Sequence, residues 1–255
     1  MKNINLKTKL ANGELTHGSW LTIGHPAIAE ILCQYSFDWL TIDIEHNMFD
    51  PSQIVDVLRV IQANNVAALV RVSKNEEVII KSVMDAGADG VIVPMVNSKE
   101  DALRAVEFVK YPPFGKRGVG LSRAQSYGSG FDTYKIWLEK SSVVIAQIEH
   151  IEGVENLKEI IGTPGIDGII VGPYDLSGSL GFPGEYQRRE VKLALEEIEK
   201  ICTSNGFPMG YHVVPPDLEL YGEIVSKGYK FIALCTDFLF LREGAGGFMK
   251  KLKNK

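Results

Sequence analysis

Two carboxylates stand where a protein interior tolerates them least. Glu149 follows the apolar run Val143-Val144-Ile145-Ala146, and Asp175 follows Ile169-Ile170-Val171 and the turn Gly172-Pro173-Tyr174. An unpaired carboxylate at the end of a buried run costs on the order of several kcal/mol. Two such ends close in sequence point to a cation between them, and Glu149 and Asp175 are read here as ligands of one divalent metal. Other polar groups sit at the ends of other apolar runs: Asp43-Ile44-Glu45-His46 after one, Arg71 at the end of another, and Gln147 just before Glu149. Side chains alternate along a strand, so Asp43 and Glu45 share a face, as do Gln147 and Glu149.

The set has a definite chemistry. A hard divalent cation held by two carboxylates keeps open positions for water and substrate. The carboxylate and keto oxygen of a 2-oxo acid fill two of them, which polarises the carbonyl and stabilises an enolate. Arg71 adds a fixed positive charge beside the oxyanion. His46 can pass a proton to or from a hydroxyl or water. Together these suit a metal-dependent retro-aldol cleavage. Each residue also has a plainer reading. Glu149 could cap a helix starting near Ile151, Asp175 could be a turn residue, Arg71 could pair with a neighbouring acid, and His46 alone could be structural. His25, His150 and His212 lack a His-x-x-x-His spacing, so no zinc site is assigned. Lysine falls in a loop at Lys74 and in a helix at Lys81 rather than at a strand end, which disfavours an imine route.

The elements that must position these residues alternate regularly. Eight short runs rich in Val and Ile read as strands: His17–Ile23, Trp39–Ile44, Ala67–Val72, Gly90–Val96, Val143–Ile148, Gly168–Val171, Pro208–Val214 and Phe231–Cys235. They are nearly continuous in apolar character, as parallel strands covered on both faces are. Between them, Pro51–Ala63, Asn75–Ala86, Lys99–Lys110, Glu190–Cys202 and Asp217–Lys227 carry apolar residues at helical spacing. Asp50-Pro51 and Pro216-Asp217 open helices, and Gly87, Gly206 and Gly228 close them. This alternation predicts an α/β chain folded as a single (β/α)8 TIM barrel over residues 1–255. A doubly wound sheet is the rival, and it lacks its Gly-x-Gly-x-x-Gly signature here. Two intervals are long, Tyr111–Ser142 and Tyr174–Arg189, and both are placed at C-terminal strand ends, where barrel sites lie. Lys116-Arg117 within the first suits a solvated loop, a phosphate contact or a subunit interface.

Composition narrows the partners. The formal net charge is −5, and no long basic run breaks that balance, which argues against nucleic acid. The basic tail Lys250–Lys255 is read as a solvated end. Three cysteines, Cys33, Cys202 and Cys235, are odd in number and far apart, as expected of a chain in the reducing cytoplasm. The N-terminus lacks the apolar run of a signal peptide, and no stretch is long and apolar enough to predict a membrane span.

With these residues in view, the chain resembles the HpcH/HpaI aldolase family, which cleaves 4-hydroxy-2-oxo acids to pyruvate and an aldehyde. The resemblance runs from about Gly18 to about Leu241. It rests on Phe37-Asp38-Trp39 leading to Asp43-x-Glu45-His46, Val70-Arg71-Val72, Asp85-Ala86-Gly87-Ala88, Val93-Pro94-Met95-Val96, Tyr111-Pro112-Pro113 with Lys116-Arg117-Gly118-Val119-Gly120, Gln147-Ile148-Glu149 and Gly172-Pro173-x-Asp175-Leu176-Ser177. It implies a barrel whose last helix is exchanged between neighbouring subunits, commonly in a homohexamer. It implies Mg2+, Mn2+ or Co2+ on Glu149 and Asp175, with no organic cofactor. It implies that His46 is the base, acting through water, that Arg71 holds the enolate, and that Asp85 orients the histidine, within its own subunit or across a subunit boundary. Gln147 would contact substrate, and the N–H groups near Tyr174 and Asp175 would hold the pyruvate carboxylate. The chain departs from familiar members at Asn47 and at Tyr211-His212, both expected near the aldehyde half, so His212 joins the candidate substrate contacts and the aldehyde stays open. Two other functions compete. One is a lyase or decarboxylase acting on a related metal-bound oxo acid such as oxaloacetate or on a CoA ester, for which no extra basic groove is identified. The other is a non-catalytic barrel that binds an oxo acid.

Overall fold

A computed structural model describes residues 5–253. In chain order its elements are α1 (Leu6–Ala11), β1 (Thr16–Leu21), α2 (Pro26–Leu32), β2 (Trp39–Asp43), α3 (Pro51–Ala63), β3 (Ala67–Arg71), α4 (Glu77–Asp85), β4 (Gly90–Val93) and α5 (Lys99–Val109). Then come α6 (Phe131–Ser141), β5 (Val143–Ile148), α7 (Ile151–Glu155), α8 (Leu157–Ile161), β6 (Gly168–Val171), α9 (Pro173–Ser179), α10 (Arg189–Ser204), β7 (Met209–Val213), α11 (Leu218–Ser226), β8 (Phe231–Thr236) and α12 (Asp237–Lys253). The strands pair in sequence order, all parallel, and β8 returns to β1 to close the barrel. The (β/α)8 expectation therefore holds.

Strand bounds follow from backbone donors. The run Gly90–Val96 stops pairing at Val93 because Pro94 has no N–H to give. The run His17–Ile23 stops at Leu21 because the N–H groups of Thr22 and Ile23 turn to the Asp237 carboxylate, each at 2.8 Å. Asp217 caps α11 by accepting from Glu219 and Leu220. Gly87, Gly206 and Gly228 all take the left-handed conformation after their helices.

Alternation sorts the strands into two apolar layers. Leu40, Ile42, Val70, Val91, Val144, Ala146 and Ile169 face outward to the helices. Trp20, Trp39, Ala67, Leu69, Ile92, Val143, Ile145, Ile170, Phe231 and Ala233 fill the barrel interior, joined by Leu6 and Leu10 of α1, which plug its N-terminal end. Trp39 and Phe231 stack there at 4.0 Å. Gly18 makes room for them: a Cβ at that position would lie 2.0 Å from the Trp39 ring.

Three aspartates pin the same end. Asp38, Asp89 and Asp167 each immediately precede an even-numbered strand. Their carboxylates accept the N–H groups of His17, Ala68 and Val144 at 2.8, 2.9 and 2.9 Å, at the start of the neighbouring odd-numbered strand. Lys9 and Lys7 of α1 neutralise Asp38 and Asp167 at 2.6 and 2.7 Å. The plug is thus tied to the barrel by charge as well as by apolar contact.

One placement is corrected. Of the two long intervals, Tyr174–Arg189 does leave a C-terminal strand end, through α9. Tyr111–Ser142 does not: it leaves α5 at the N-terminal end of the barrel. There Arg123 donates to Ala86 O and Gln62 Oε1, at the close of α4 and α3. The reason is that the helix after β4, rather than a loop, carries the chain back across the barrel. Lys116 and Arg117 also part company. Lys116 makes an exposed ion pair with Glu107. Arg117 is fully buried beneath Tyr111 and Tyr134, with its Nη2 on Tyr134 Oη at 2.8 Å. The basic tail lies on exposed α12 as far as Lys253, and Asn254 and Lys255 lie outside the described residues.

Candidate active site

At the C-terminal end, inward positions become polar. Asp43 and Arg71 face each other in register across β2 and β3. Arg71 grips the Asp43 carboxylate with two hydrogen bonds, Nε to Oδ1 and Nη2 to Oδ2, both 2.8 Å. Its Nε lies 3.3 Å from Glu45 Oε2, and its guanidinium carbon lies 4.3 Å from the Trp20 ring. Asp43 also accepts the Glu45 N–H and Asn47 Nδ2. Burial works against the Asp43 anion. The hydrogen bonds and charge of Arg71, with the N–H groups of Glu45 and His46, outweigh burial and hold the carboxyl below its ordinary value. Arg71 is therefore fixed in position before any substrate arrives.

Glu149 sits just past β5 and is buried. Its Oε1 accepts the Met95 N–H at 2.7 Å, and its Oε2 accepts from Gln147 Nε2. Gly172, at the end of β6, is needed beside it: a Cβ there would come within 2.9 Å of the Glu149 Cβ. Asp175 follows in the first turn of α9 and is solvent-accessible. Tyr174 beside it is exposed and packs edge-on against Tyr186 at 6.0 Å.

The electrostatics of this end are out of balance. Burial pushes Glu149 up to about 7, opposed by the Gln147 hydrogen bond and reinforced by the charges of Glu45 and Asp175. Burial likewise pushes Glu45 up to about 7, opposed by Arg71 and reinforced by Asp43 and Asp175. Glu45 Oε2 is buried without a hydrogen-bond partner. Asp43, Glu45, Glu149 and Asp175 thus share one end of the barrel, where Arg71 clasps Asp43 and lies against Glu45. The donors left over are hard carboxylate oxygens, and they fit a hard divalent cation. No group of three or more His, Cys, Asp or Glu side chains is arranged to hold a metal among the described residues. Glu149 and Asp175 would then be the protein's share, with other positions left for water and substrate.

Other candidates stand elsewhere. His46 lies at the exposed rim, its Nε2 3.8 Å from Glu45 Oε2. Asp85 ends α4 at the opposite end of the barrel, where its Oδ1 is buried without a partner and burial raises its pKa against the pull of Arg117 and Lys81. Within one chain it does not meet His46. His212 faces into the barrel from β7, with Nε2 2.9 Å from Cys235 O and its ring 5.5 Å from Trp20.

Three contributors were not assigned roles from sequence. The Asp43-x-Glu45 alternation placed both acids on one face, but their contact with Arg71 needed the β2–β3 register. Trp20 carries no sequence signal, because β1 does not adjoin β3.

Residues 17–243 match the family described as HpcH/HpaI aldolase/citrate lyase. The 5-keto-4-deoxy-D-glucarate aldolase of Escherichia fergusonii is 36% identical over 240 residues, covering 93% of this chain and 92% of that protein. The hydroxypyruvate/pyruvate aldolase of Roseobacter denitrificans is 33% identical over 236 residues, covering 92% and 91%. A solved structure of an HpcH/HpaI aldolase/citrate lyase family protein from Burkholderia cenocepacia J2315 superposes with a TM-score of 0.90 at 30% identity, covering 97% of this chain and 98% of that one. Arg71 held ready by Asp43, buried Glu149 and accessible Asp175 thus lie in a barrel matched from end to end, and the chain belongs to the HpcH/HpaI aldolase/citrate lyase family.

Proposed function

We propose that this chain is a divalent-metal-dependent aldolase that cleaves a 4-hydroxy-2-oxo acid reversibly to pyruvate and an aldehyde. Its main support is the charge imbalance at the barrel mouth: buried Glu149 and half-buried Glu45 are raised to about 7 and Asp175 adds to both, while Asp43 takes both hydrogen bonds of the Arg71 guanidinium. A cation bound by Glu149 and Asp175 would supply positive charge against the 2-oxo group. Mg2+, Mn2+ and Co2+ all suit such oxygen donors. Arg71, locked by Asp43 and Trp20, presents its charge to the enolate oxygen as it forms. Gln147 keeps Glu149 oriented. The first-turn N–H groups of Tyr174 and Asp175 lack helical partners and suit the pyruvate carboxylate. His46, at the rim, exchanges a proton with the 4-hydroxyl through water. Asp85 can orient His46 only from a second subunit, since its own chain carries it to the far end.

The test is release of pyruvate from a panel of 4-hydroxy-2-oxo acids, with and without Mn2+ or Mg2+. Activity is expected only with metal, and Glu149→Ala and Asp175→Ala should each abolish it in a folded protein. Activity that survived exhaustive chelation or both substitutions would sink the reading.

We also propose a homo-oligomer, a hexamer by family resemblance, with α12 exchanged between subunits. Phe238, Leu241, Phe248, Met249 and Leu252 leave α12 with an exposed apolar face. Beside it lies an apolar cavity of about 410 Å³ bordered by Ile28, Ile31, Leu32, Tyr35, Phe37 and Phe240. A stable, active monomer by light scattering at micromolar concentration would refute this. A cytoplasmic setting is proposed as well. The three cysteines are free thiols, and burial pushes buried Cys202 up to about 12, which makes it inert. No helix among the described residues is long and apolar enough to cross a membrane.

A further inference from the structure

The barrel mouth has a second side. Glu45, Arg71, Glu149 and Asp175 come from or follow β2, β3, β5 and β6. Between β6 and β2 the mouth is closed by β7, β8 and β1, and there the inward side chains are His212 and Trp20. The His212 ring lies 5.5 Å from Trp20, and Trp20 lies 4.3 Å under the Arg71 guanidinium. His212 is thus one aromatic ring away from the proposed enolate-holding group, on β7, which pairs with β6, the strand that leads to Asp175.

Its protonation is decided by its partner. Nε2 lies 2.9 Å from Cys235 O, and a carbonyl only accepts, so Nε2 carries the proton. Cys235 holds that carbonyl with a left-handed backbone, φ 56°, a conformation that side-chain-bearing residues rarely adopt. The Ser19 hydroxyl donates chiefly to Leu234 O at 2.7 Å, with the Cys235 carbonyl a longer 3.4 Å away. Burial pushes the ring down to about 4, so it stays neutral near pH 7. Nδ1 is then a bare lone pair, with no hydrogen-bond partner among the described residues.

We propose that His212 Nδ1 accepts a hydrogen bond from a hydroxyl of the aldehyde fragment, and so selects hydroxylated aldehydes over their deoxy counterparts. The proposal rests on the aldolase reading above and names the substrate class of the same site. A lone pair takes an O–H donor and offers nothing to a carboxylate oxygen.

The experiment compares kcat/KM for addition of pyruvate to glycolaldehyde and to acetaldehyde, in the wild type, His212→Leu and His212→Asn. The ratio of the two within one protein removes any loss common to both aldehydes. Comparing ratios between proteins removes their intrinsic reactivities. One neutral hydrogen bond predicts that the glycolaldehyde preference falls about tenfold in His212→Leu. His212→Asn places an oxygen acceptor where Nδ1 stands and should keep most of the preference. Equal ratios in the wild type and His212→Leu, or Asn falling as far as Leu, would overturn the proposal. So would a 15N spectrum showing the His212 proton on Nδ1. Exchange of pyruvate methyl protons with solvent is followed in the same samples. No exchange in the metal-loaded wild type means that the aldolase reading itself fails and this inference falls with it. Exchange with an unchanged ratio removes this inference alone.

Discussion

The two ends of the barrel solve the same problem in opposite ways. Both place carboxylates next to a buried interior. At the N-terminal end, Asp38, Asp89 and Asp167 each accept a strand N–H, and Lys9 and Lys7 neutralise two of them. At the C-terminal end, Glu45 and Glu149 are pushed up to about 7, and Glu45 Oε2 has no hydrogen-bond partner. Apolar packing differs in the same sense. Leu6, Leu10, Trp39 and Phe231 fill one end, while the other keeps Asp175 and Tyr174 in contact with solvent. An end that satisfies its charges internally contributes stability. An end that leaves negative charge unanswered is prepared for a cation and a substrate, at some cost in stability.

The largest expected effect lies at the C-terminal end. Arg71→Ala should depress both aldol cleavage and oxaloacetate decarboxylation about a hundredfold, since an oxyanion contact is worth roughly 3 kcal/mol. His46→Ala should depress aldol cleavage strongly and decarboxylation much less, because decarboxylation has no aldehyde-side hydroxyl. Both rates are measured on both variants with the same metal. Equal losses for His46→Ala in the two reactions would move the histidine onto the enolate.

The N-terminal end should respond in stability alone. Asp89→Ala leaves the buried Ala68 N–H without its acceptor and removes one of the two acceptors of Gln62 Nε2, which keeps Gly87 O. The expected cost is about 1–3 kcal/mol. Calorimetry should show a lowered thermal midpoint, while kcat/KM at a temperature where the variant is folded stays at the wild-type value. A variant of normal stability and reduced activity would break the contrast between the ends.

The smallest effect concerns pH. Glu149 titrates near 7 in the folded protein and near 4.5 when unfolded. Between those values the folded state holds a proton that the unfolded state has released, so this residue's contribution to stability falls as pH rises from about 4.5 to 7 and stays low above. In chelator, Glu149→Gln should therefore melt above the wild type at pH 8 and converge with it near pH 4.5. A shift of about 2–4 °C per kcal/mol is expected for a chain of this size. A Gln variant that melts lower at pH 8 would show that the carboxylate is not strained in the metal-free protein.

The sequence by itself determined the periodicities. Runs of Val and Ile separated by helical spacing specified eight strands and a closed barrel, because a strand buried on both faces must be apolar throughout. It also placed Arg71, Gln147, Glu149 and Asp175 at strand ends, and alternation along the chain put Asp43 and Glu45 on one face. What it did not contain was the return path of the chain. Tyr111–Ser142 follows a strand in sequence, yet α5 carries it to the far end, and Asp85 goes to the same end with α4. Nor did it contain lateral neighbours. The Arg71–Asp43 clasp depends on register between β2 and β3, the Arg71–Trp20 stack on the barrel's closure, and the His212 tautomer on a Cys235 carbonyl turned by a left-handed residue. Periodicity is a property of one segment and is written in its residues. Which side chains meet across strands, and what state of protonation that meeting imposes, is fixed only when the sheet closes on itself.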